Sequence, residues 1–228
     1  MLATYKISSA LKYYLSSLLT LIQGIENWYL IPLVIFKKPL LIKLRNGLKY
    51  QTRSLMEIWT IKEVCLDKQY EMFVKLKKDW IVIDVGASIG DFAIQAAQKA
   101  KQVFAYEPDH VAVQLLKHNL KLNQVNNVEI FLFPATSLNQ IINTNKLNRC
   151  DFLKIDCEGC EYRLLNNSNS QSFKKIKRIM LEYHLFSSKY QRQFKELKQL
   201  LIRHQFEIIE KENSVHNNIG FLYAEKKK

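Results

Sequence analysis

Apolar and polar residues follow two different periods along this chain, and the two periods alternate. The β-branched run "WIVIDVGA" is a predicted strand, and the residues after it place apolar side chains at helical spacing. Further strands are predicted at "QVFAYEP", "VEIFLF", "DFLKID", "IKRIMLEYH", "FEIIEK" and "IGFLYAEK". Helices are predicted between them, over 91–101, 109–122, a short segment capped by Ser137, "EYRLLNN" and 190–204.

Strands that alternate with helices are typical of an α/β fold with a mainly parallel sheet. The last two predicted strands are joined by a polar loop, so we expect them to pair antiparallel. In an open α/β sheet, ligands bind at the carboxyl ends of the strands, where the strand order reverses. The residues at those ends are therefore the candidates for a functional site.

The N-terminal part of the chain follows a different pattern. The stretch from Tyr13 to Phe36 is apolar but interrupted by Glu26, and its longest uncharged piece is shorter than the roughly 18–20 residues that cross a bilayer. It predicts one or two amphipathic helices that end before Pro32 and pack against the main domain, with contact to a membrane surface or a membrane span as alternatives. We therefore divide the chain into an N-terminal helical extension, 1–42, and a main domain, 43–228.

The main domain begins with two smaller elements. The segment "LIKLRNGLKYQTRS" alternates around an Asn-Gly turn and predicts a small hairpin. The segment "LMEIWTIKEVCLDKQYEMFVKL" has apolar residues at helical spacing and predicts a helix ahead of the first strand of the sheet.

Charge and cysteine content narrow the possible partners and the compartment. The 228 residues carry a net charge of +13, which favours anionic partners such as nucleic acid or a membrane surface, although the charges are scattered enough for a solvated surface. The 4 cysteines do not resemble a disulfide framework. The pair in "CEGC" is expected to be two small buried thiols, because no second ligand pair for zinc is present, with thioredoxin-like redox chemistry as the alternative. The predicted compartment is the cytosol.

The stretch "DVGASIG" joins the first strand of the sheet to its helix. Glycine at Gly86 and Gly90 allows a tight turn and a close approach of a ligand to the backbone. The spacing differs from the dinucleotide fingerprint, since position 88 is Ser88 and no third glycine follows, and it is not that of a P-loop. A ligand with a pyrophosphate is therefore disfavoured.

The acid Glu107 ends the second predicted strand, about 20 residues after Gly86, where a carboxylate suits the two hydroxyls of a ribose. A glycine turn and a ribose acid without phosphate-binding spacing indicate a nucleoside ligand that lacks a pyrophosphate. S-adenosylmethionine is the predicted cofactor.

Polar groups also mark the ends of the fourth and fifth strands. In "DFLKIDCEGCEY", Lys154, Asp156, Glu158 and Glu161 cluster, with Lys154 and Asp156 on one face of the strand. They could bind substrate hydroxyls, position a base, hold a divalent ion or form a mutual salt bridge. In "IMLEYH", the acid and the imidazole share a face, and an imidazole can take a proton from a hydroxyl near neutral pH.

Taken together, four pieces of the sequence resemble the FkbM-type family of class I S-adenosylmethionine-dependent methyltransferases. They are "VIDVGASIGDFA", "VFAYEPDHVAVQLLKHNLKLN", "DFLKIDCEGCEYRLL" and "IKRIMLEYH", and they occur in the family's order over about 80–184. The resemblance implies a Rossmann-like, seven-stranded, mostly parallel sheet with an antiparallel last strand. It implies that 43–228 form the methyltransferase domain.

The resemblance also implies roles at the cofactor site. By position, the methionine end of S-adenosylmethionine would be lined by Asp84, Gly86, Ala87, Ser88 and Gly90. The ribose would be held by Glu107, with Pro108 beside it among the cofactor-binding residues. Relatives carry a longer segment after the third strand than the one after Phe133 here, so the contacts to the adenine are expected to differ.

For the reaction itself, Asp156 and Glu158 would lie near the methyl group. His184 is the predicted base, oriented by Asp156 or Glu158, so these three are the predicted catalytic residues. Lys154 and Glu182 are assigned to substrate binding, and no residue is assigned to a metal.

The predicted function is methyl transfer to an oxygen, on a hydroxyl of a sugar, glycolipid or polyketide-like acceptor. One alternative is an RNA methyltransferase, which the net charge favours, although neither an Asn-Pro-Pro motif nor a Pro-Cys pair is present. The other alternative is a catalytically inactive binding module with the same fold. The expected partner is a small molecule or glycan, with nucleic acid or peripheral membrane contact through the N-terminal helices as the less favoured partners.

Overall fold

A seven-stranded sheet with helices packed against it forms the main body of the protein. A computed structural model describes residues 2–36, 38–213 and 215–227. The strands are β1 (Leu40–Lys43), β2 (Lys49–Thr52), β3 (Ile81–Val85), β4 (Gln102–Tyr106), β5 (Val128–Phe131), β6 (Phe152–Ile155), β7 (Arg178–His184), β8 (Phe206–Glu212) and β9 (Ile219–Lys226). The α-helices are α1 (Leu2–Gly24), α2 (Leu55–Ile61), α3 (Asp91–Ala97), α4 (His110–Leu122), α5 (Leu138–Thr144), α6 (Cys160–Asn166), α7 (Ser170–Lys175) and α8 (Ser188–Arg203).

The sheet has the strand order β5-β4-β3-β6-β7-β9-β8, and β9 is the strand that runs antiparallel to its neighbours. This confirms the predicted fold class, including the antiparallel last strand. From β3 the chain builds outward through β4 to β5, and it then returns to place β6 on the other side of β3. The carboxyl ends of β3 and β6 are thus the point at which the strand order reverses, where ligands bind in open sheets.

The N-terminal extension contains α1 and a 3-10 helix over Trp28–Phe36. The prediction that helical structure ends before Pro32 is wrong, because the 3-10 helix runs through it. The fixed φ of proline suits a 3-10 helix, and a single missing N–H costs a short helix little. An antiparallel bridge between Ile25 and Leu44 attaches the extension to the predicted hairpin, which β1 and β2 form. Among the described residues no helix is long and apolar enough to cross a bilayer.

The domain boundary predicted at 42/43 falls inside β1, and Met1 and Lys37 of the predicted extension lie outside the described residues. The division at 42/43 stays a prediction. The chain does, however, pass from the extension into the hairpin without a linker, because β1 begins at Leu40 and continues through Lys43.

The helix predicted before the first strand of the sheet is broken into three pieces. The α2 helix passes into a π-helix at Lys62–Leu66, and a short 3-10 turn follows at Gln69–Glu71. Lys68 lies between the π-helix and the 3-10 turn. Its backbone is in the left-handed region, with φ 54°, and this ends the continuous helix. Apolar spacing alone carries no signal for this break, and the short α7 helix is likewise an element that the sequence did not predict.

A second expectation, that the cysteines of "CEGC" are free thiols, is wrong. Cys157 and Cys160 form a disulfide, with Cα atoms 5.4 Å apart, and both are half-buried rather than free thiols. The left-handed turn at Glu158 and Gly159 brings the two sulfurs together just before α6 begins. The remaining two cysteines, Cys65 and Cys150, are free and buried.

A buried ion pair lies in the middle of the sheet. Asp84 of β3 and Lys154 of β6 are direct partners in the strand register, and the Lys154 Nζ lies 3.0 Å from the Asp84 Oδ1. Both side chains are at most 2% exposed. The ammonium donates its hydrogen bond to the carbonyl of Gly86, at 2.7 Å. Charges this deep are stable only when they are paired, so the pair fixes β3, β6 and the turn after β3 relative to one another.

We expect Lys154→Met to destabilise the fold by about 3–5 kcal/mol, because it leaves the Asp84 carboxylate buried without a counter-charge. Lys198→Met is the matched control, since Lys198 pairs with Glu210 at the surface with side chains 31% and 39% exposed, and we expect it to cost less than about 1 kcal/mol. Urea unfolding measures both variants. Equal losses of stability would show that the central pair does not hold the sheet.

Candidate functional site

The turn between β3 and α3 is shaped to let a ligand approach the backbone. Gly86 and Gly90 have φ angles of 78° and 89°, and Ser88 between them is also in the left-handed region, at 46°. A Cβ atom on Gly86 would lie 1.7 Å from the carbonyl oxygen of Asp156. The turn therefore requires glycine at this position, and it lies directly against the end of β6.

The carboxylate of Glu107 closes the other side of this turn. It accepts a hydrogen bond from the backbone N–H of Ser88 at 2.9 Å and another from the N–H of Asp109 at 2.9 Å. Each oxygen keeps a lone pair for a further donor, as binding to the two hydroxyls of a ribose requires. Pro108 beside it is exposed, and the short segment after β5 exposes the apolar side chains of Leu132 and Phe133.

Lys154 lies beneath the site rather than in it. The sequence assigns it to substrate binding, but its side chain is 2% exposed and its charge is taken up by Asp84, with Asp156 3.8 Å away. Burial alone would lower the pKa of the ammonium, but these two carboxylates outweigh burial and raise that pKa above its ordinary value. Burial raises the pKa of Asp84 to about 6 although Lys154 works against it. We therefore reassign Lys154 to positioning.

A cavity of about 720 Å³ opens beyond the carboxyl ends of β6 and β7. One wall is aromatic and comes from the N-terminal half of the chain, with Tyr13, Tyr14, Trp59 and Tyr70. Four carboxylates also line it, those of Glu63, Asp156, Glu158 and Glu182. Among the described residues that line the cavity there is neither a lysine nor an arginine. Such a surface suits an uncharged or cationic group and disfavours a phosphate.

Three side chains meet at one end of this cavity. Asp156, Glu182 and His184 each offer an oxygen or nitrogen atom, and these atoms lie within 4.8 Å of one another. The Tyr70 hydroxyl donates to Asp156 Oδ2 at 2.7 Å and lies 3.4 Å from Glu182 Oε2. The tyrosine thus keeps the two carboxylates side by side, and burial raises its pKa well above the ordinary value, so the hydroxyl remains a donor.

The imidazole of His184 is oriented by a residue that the sequence had not assigned. Its Nδ1 lies 3.5 Å from Glu161 Oε1, and that carboxylate is fully buried. Neither Asp156 nor Glu158, the predicted orienting residues, occupies this position; Glu158 is exposed at the rim of the cavity. Burial would lower the pKa of the imidazole, but Glu161 outweighs burial and, with Glu182, raises the pKa of His184.

Two acids in this region, Glu182 and Asp91, have raised pKa values. Burial is the main cause that raises the pKa of Glu182 to about 8, and the neighbouring Asp156 carboxylate adds to it. Burial likewise raises the pKa of Asp91, at the start of α3, to about 7, although Lys154 opposes the shift. Strongly perturbed acids around a cavity are a feature of functional sites.

The structure thus brings together most of the residues predicted at the strand ends. Asp156, Glu182 and His184 converge in the cavity, and the 86–90 turn with Glu107 forms a second group that meets them at Asp156. Sequence reasoning missed Tyr70 and left Glu161 without a role. The acid in "CEGCEY" was visible as part of a polar cluster, whereas nothing in the sequence linked Tyr70 to a residue so distant along the chain.

Two family models match overlapping parts of the chain. The FkbM methyltransferase domain matches residues 126–208, and the TRM5/TYW2 methyltransferase domain matches residues 45–157. The TRM5/TYW2 match covers the strands from β2 to β6 with the glycine turn and Asp156, and the FkbM match covers the strands from β5 to β7 with the whole cluster in the cavity.

Known relatives are similar over shorter segments. The tRNA (guanine(37)-N(1))-methyltransferase Trm5b of Pyrococcus abyssi is 38% identical over 61 residues, 27% of this chain and 18% of that protein. The ribosomal protein L11 methyltransferase of Prochlorococcus marinus is 30% identical over 121 residues, 52% of this chain and 37% of that protein. The chain therefore spans less than half the length of these curated relatives.

Solved structures share the architecture at low sequence identity. A methyltransferase of Streptococcus mutans in complex with SAH superposes with a TM-score of 0.54 at 15% identity, covering 67% of this chain and 91% of that one. Its fold agrees with the strand order described above, and the two family models agree with the predicted motifs and with S-adenosylmethionine as the cofactor. The chain belongs to the class I S-adenosylmethionine-dependent methyltransferases, with an FkbM methyltransferase domain over residues 126–208.

Proposed function

We propose that the protein transfers a methyl group to a hydroxyl of an uncharged acceptor, such as a sugar, a glycolipid or a polyketide-like molecule. The observation that carries this proposal is the cluster of Asp156, Glu182 and His184 in an acidic, aromatic-walled cavity. Carboxylates accept hydrogen bonds from hydroxyls, and aromatic faces pack against the apolar faces of sugar rings.

The cofactor would bind on the other side of Asp156. The glycine turn offers a backbone surface that a Cβ would fill, and Glu107 offers two carboxylate oxygens for the ribose. Asp84, Ala87, Ser88, Gly90 and Pro108 complete this proposed set. When bound, S-adenosylmethionine would supply its sulfonium methyl group to the acceptor oxygen, with S-adenosylhomocysteine as the leaving group and the hydroxyl proton released.

The cluster in the cavity would hold the acceptor hydroxyl and promote the loss of its proton. Nε2 of His184 lies 3.9 Å from Glu182 and makes no hydrogen bond, while Glu161 faces Nδ1 at 3.5 Å. His184 would therefore take the proton of the hydroxyl at Nε2. Asp156, held by Tyr70, would position the hydroxyl toward the cofactor side of the site.

RNA is the second candidate acceptor, and the comparisons favour it over a sugar or lipid. The match to the TRM5/TYW2 domain, the similarity to a tRNA methyltransferase and the net charge of +13 all support it. That match, over residues 45–157, includes the cofactor turn and also residues that line the cavity, such as Trp59, Tyr70 and Asp156. The cavity that would receive the acceptor is nevertheless lined by carboxylates and, among the described residues, by no lysine or arginine. We therefore keep the hydroxyl acceptor as the main proposal.

The proposed contact of the cofactor with the glycine turn predicts the effect of two matched substitutions. Gly86→Ala should weaken S-adenosylhomocysteine binding by more than about tenfold, because the new Cβ displaces the end of β6. Gly47→Ala has the same unfavourable backbone, with φ +93°, but nothing within 4 Å of the new Cβ. In calorimetry, Gly47→Ala should bind S-adenosylhomocysteine like the wild type, while its free energy of unfolding falls by about 1–2 kcal/mol. Equal loss of binding in both variants would contradict the contact.

The role of the cluster predicts a difference between two histidines of the same cavity. His184→Ala should lower the turnover number by about 10²-fold or more while S-adenosylhomocysteine still binds, because the cofactor turn is left intact. His216 also lines the cavity but lies outside the cluster, so His216→Ala should leave turnover within about twofold. Wild-type turnover in His184→Ala would remove this residue from the proposed mechanism.

The identity of the acceptor is tested with a labelled methyl group. We expect S-adenosylmethionine carrying a labelled methyl to transfer its label to a lipid and glycan extract, as a base-stable ether. Total RNA and total protein are the parallel substrates. Label in RNA alone would overturn the main proposal in favour of the second candidate, and loss of RNA labelling with rising salt would add the signature of phosphate contacts.

A further inference from the structure

The arrangement of Asp156, Glu182 and His184 is that of an open metal site. Two carboxylates and one imidazole offer three ligand atoms within 4.8 Å of one another, and they face the cavity. Bonds of about 2.0–2.6 Å to a cation would span this separation after small side-chain rotations. Three protein ligands with open positions toward a cavity are typical of catalytic rather than structural metal sites.

His184 gives an independent indication of a missing ligand. Its side chain is 6% exposed, and its Nδ1 is buried without a hydrogen-bond partner among the described residues. Nδ1 faces the buried Glu161 carboxylate at 3.5 Å, which leaves Nε2 directed at Glu182 and the cavity. A carboxylate behind one nitrogen and a metal on the other is the usual arrangement of a metal-binding histidine.

Among the described residues, the carboxylates around the cluster outnumber the basic side chains beside them. Asp156 and Glu182 are held side by side by one tyrosine hydroxyl, and Glu161 adds a third carboxylate behind His184. Lys154 is the nearby cation, but its ammonium is closer to Asp84, at 3.0 Å, than to Asp156, at 3.8 Å. A divalent cation would balance the two carboxylates that remain.

We propose that Asp156, Glu182 and His184 bind a divalent cation of the Mn²⁺ type, which coordinates and activates the acceptor hydroxyl. Mixed oxygen and imidazole ligands suit Mn²⁺, since carboxylates favour Mg²⁺ and Mn²⁺ and imidazole favours the transition metals. Tyr70 and Glu161 hold the ligands from behind.

This inference rests on the proposed function and makes it more specific. With His184 bound to the cation, cavity water instead of the imidazole takes the proton of the coordinated hydroxyl, and this proton is lost more readily, as it is from metal-bound water. The open coordination positions would accept a second oxygen of the same molecule, so an acceptor with two neighbouring oxygens, such as a vicinal diol, fits best. The aromatic wall leaves room for the ring that carries them.

The test measures metal binding without the acceptor. The full-length protein, stripped with a chelator, is titrated with Mn²⁺ in a calorimeter, and a pulsed electron spin resonance measurement detects nitrogen coupled to the bound ion. We expect one Mn²⁺ per chain with imidazole coupling. Asp156→Asn and Glu182→Gln should each weaken binding at least about tenfold, and His184→Gln should also abolish the nitrogen coupling.

Glu63→Gln is the matched control, because Glu63 lines the same cavity outside the cluster, and it should bind Mn²⁺ like the wild type. S-adenosylhomocysteine binding is measured on every sample to show that each variant is folded. Mn²⁺ binding that is absent from the wild type, or unchanged in all three cluster variants, would overturn the metal site while the cofactor still binds. Absence of cofactor binding would instead overturn the proposed function.

Discussion

The buried ammonium of Lys154 determines the geometry of this protein's centre. It pairs with Asp84, donates to the carbonyl of Gly86 and approaches Asp156, so it contacts the two central strands and both parts of the candidate site. A charge buried this deeply is tolerated only with its full set of partners, and each partner therefore has little freedom to move. The glycine turn and the cavity are thus held at a fixed separation by a residue that need not contact either ligand.

The two family matches overlap at this centre, over residues 126–157. The TRM5/TYW2 match reaches residue 157 and includes the turn and Glu107, whereas the FkbM match includes the cluster around His184. All class I enzymes bind the same cofactor, S-adenosylmethionine. Similarity at the residues of the cofactor site therefore carries little information about the acceptor. The acceptor chemistry has to be inferred from the cavity, and its carboxylates are the reason for placing a hydroxyl there ahead of a nucleic acid.

The sequence was sufficient for the order of the elements but not for the contacts between them. β-branched runs and helical spacing predicted the seven strands, and a glycine turn with an acid at the next strand end predicted the cofactor site. Lys154 was predicted to contact a substrate. Its pairing with Asp84 depends on the register of β3 against β6, which the sequence does not show. The same limit concealed Tyr70 and Glu161, whose roles depend on packing between elements distant in sequence.

The overall charge and the cavity charge together constrain the acceptor more tightly than either does alone. A net charge of +13 attracts an anionic partner to the surface, while the cavity presents four carboxylates and an aromatic wall from the N-terminal half of the chain. Both the net charge and the cavity would suit an acceptor whose anionic part stays outside the cavity while an uncharged, hydroxylated part enters it. Because Tyr13 and Tyr14 of α1 contribute to that wall, the proposed function would give the N-terminal extension a part in acceptor selection as well as in packing.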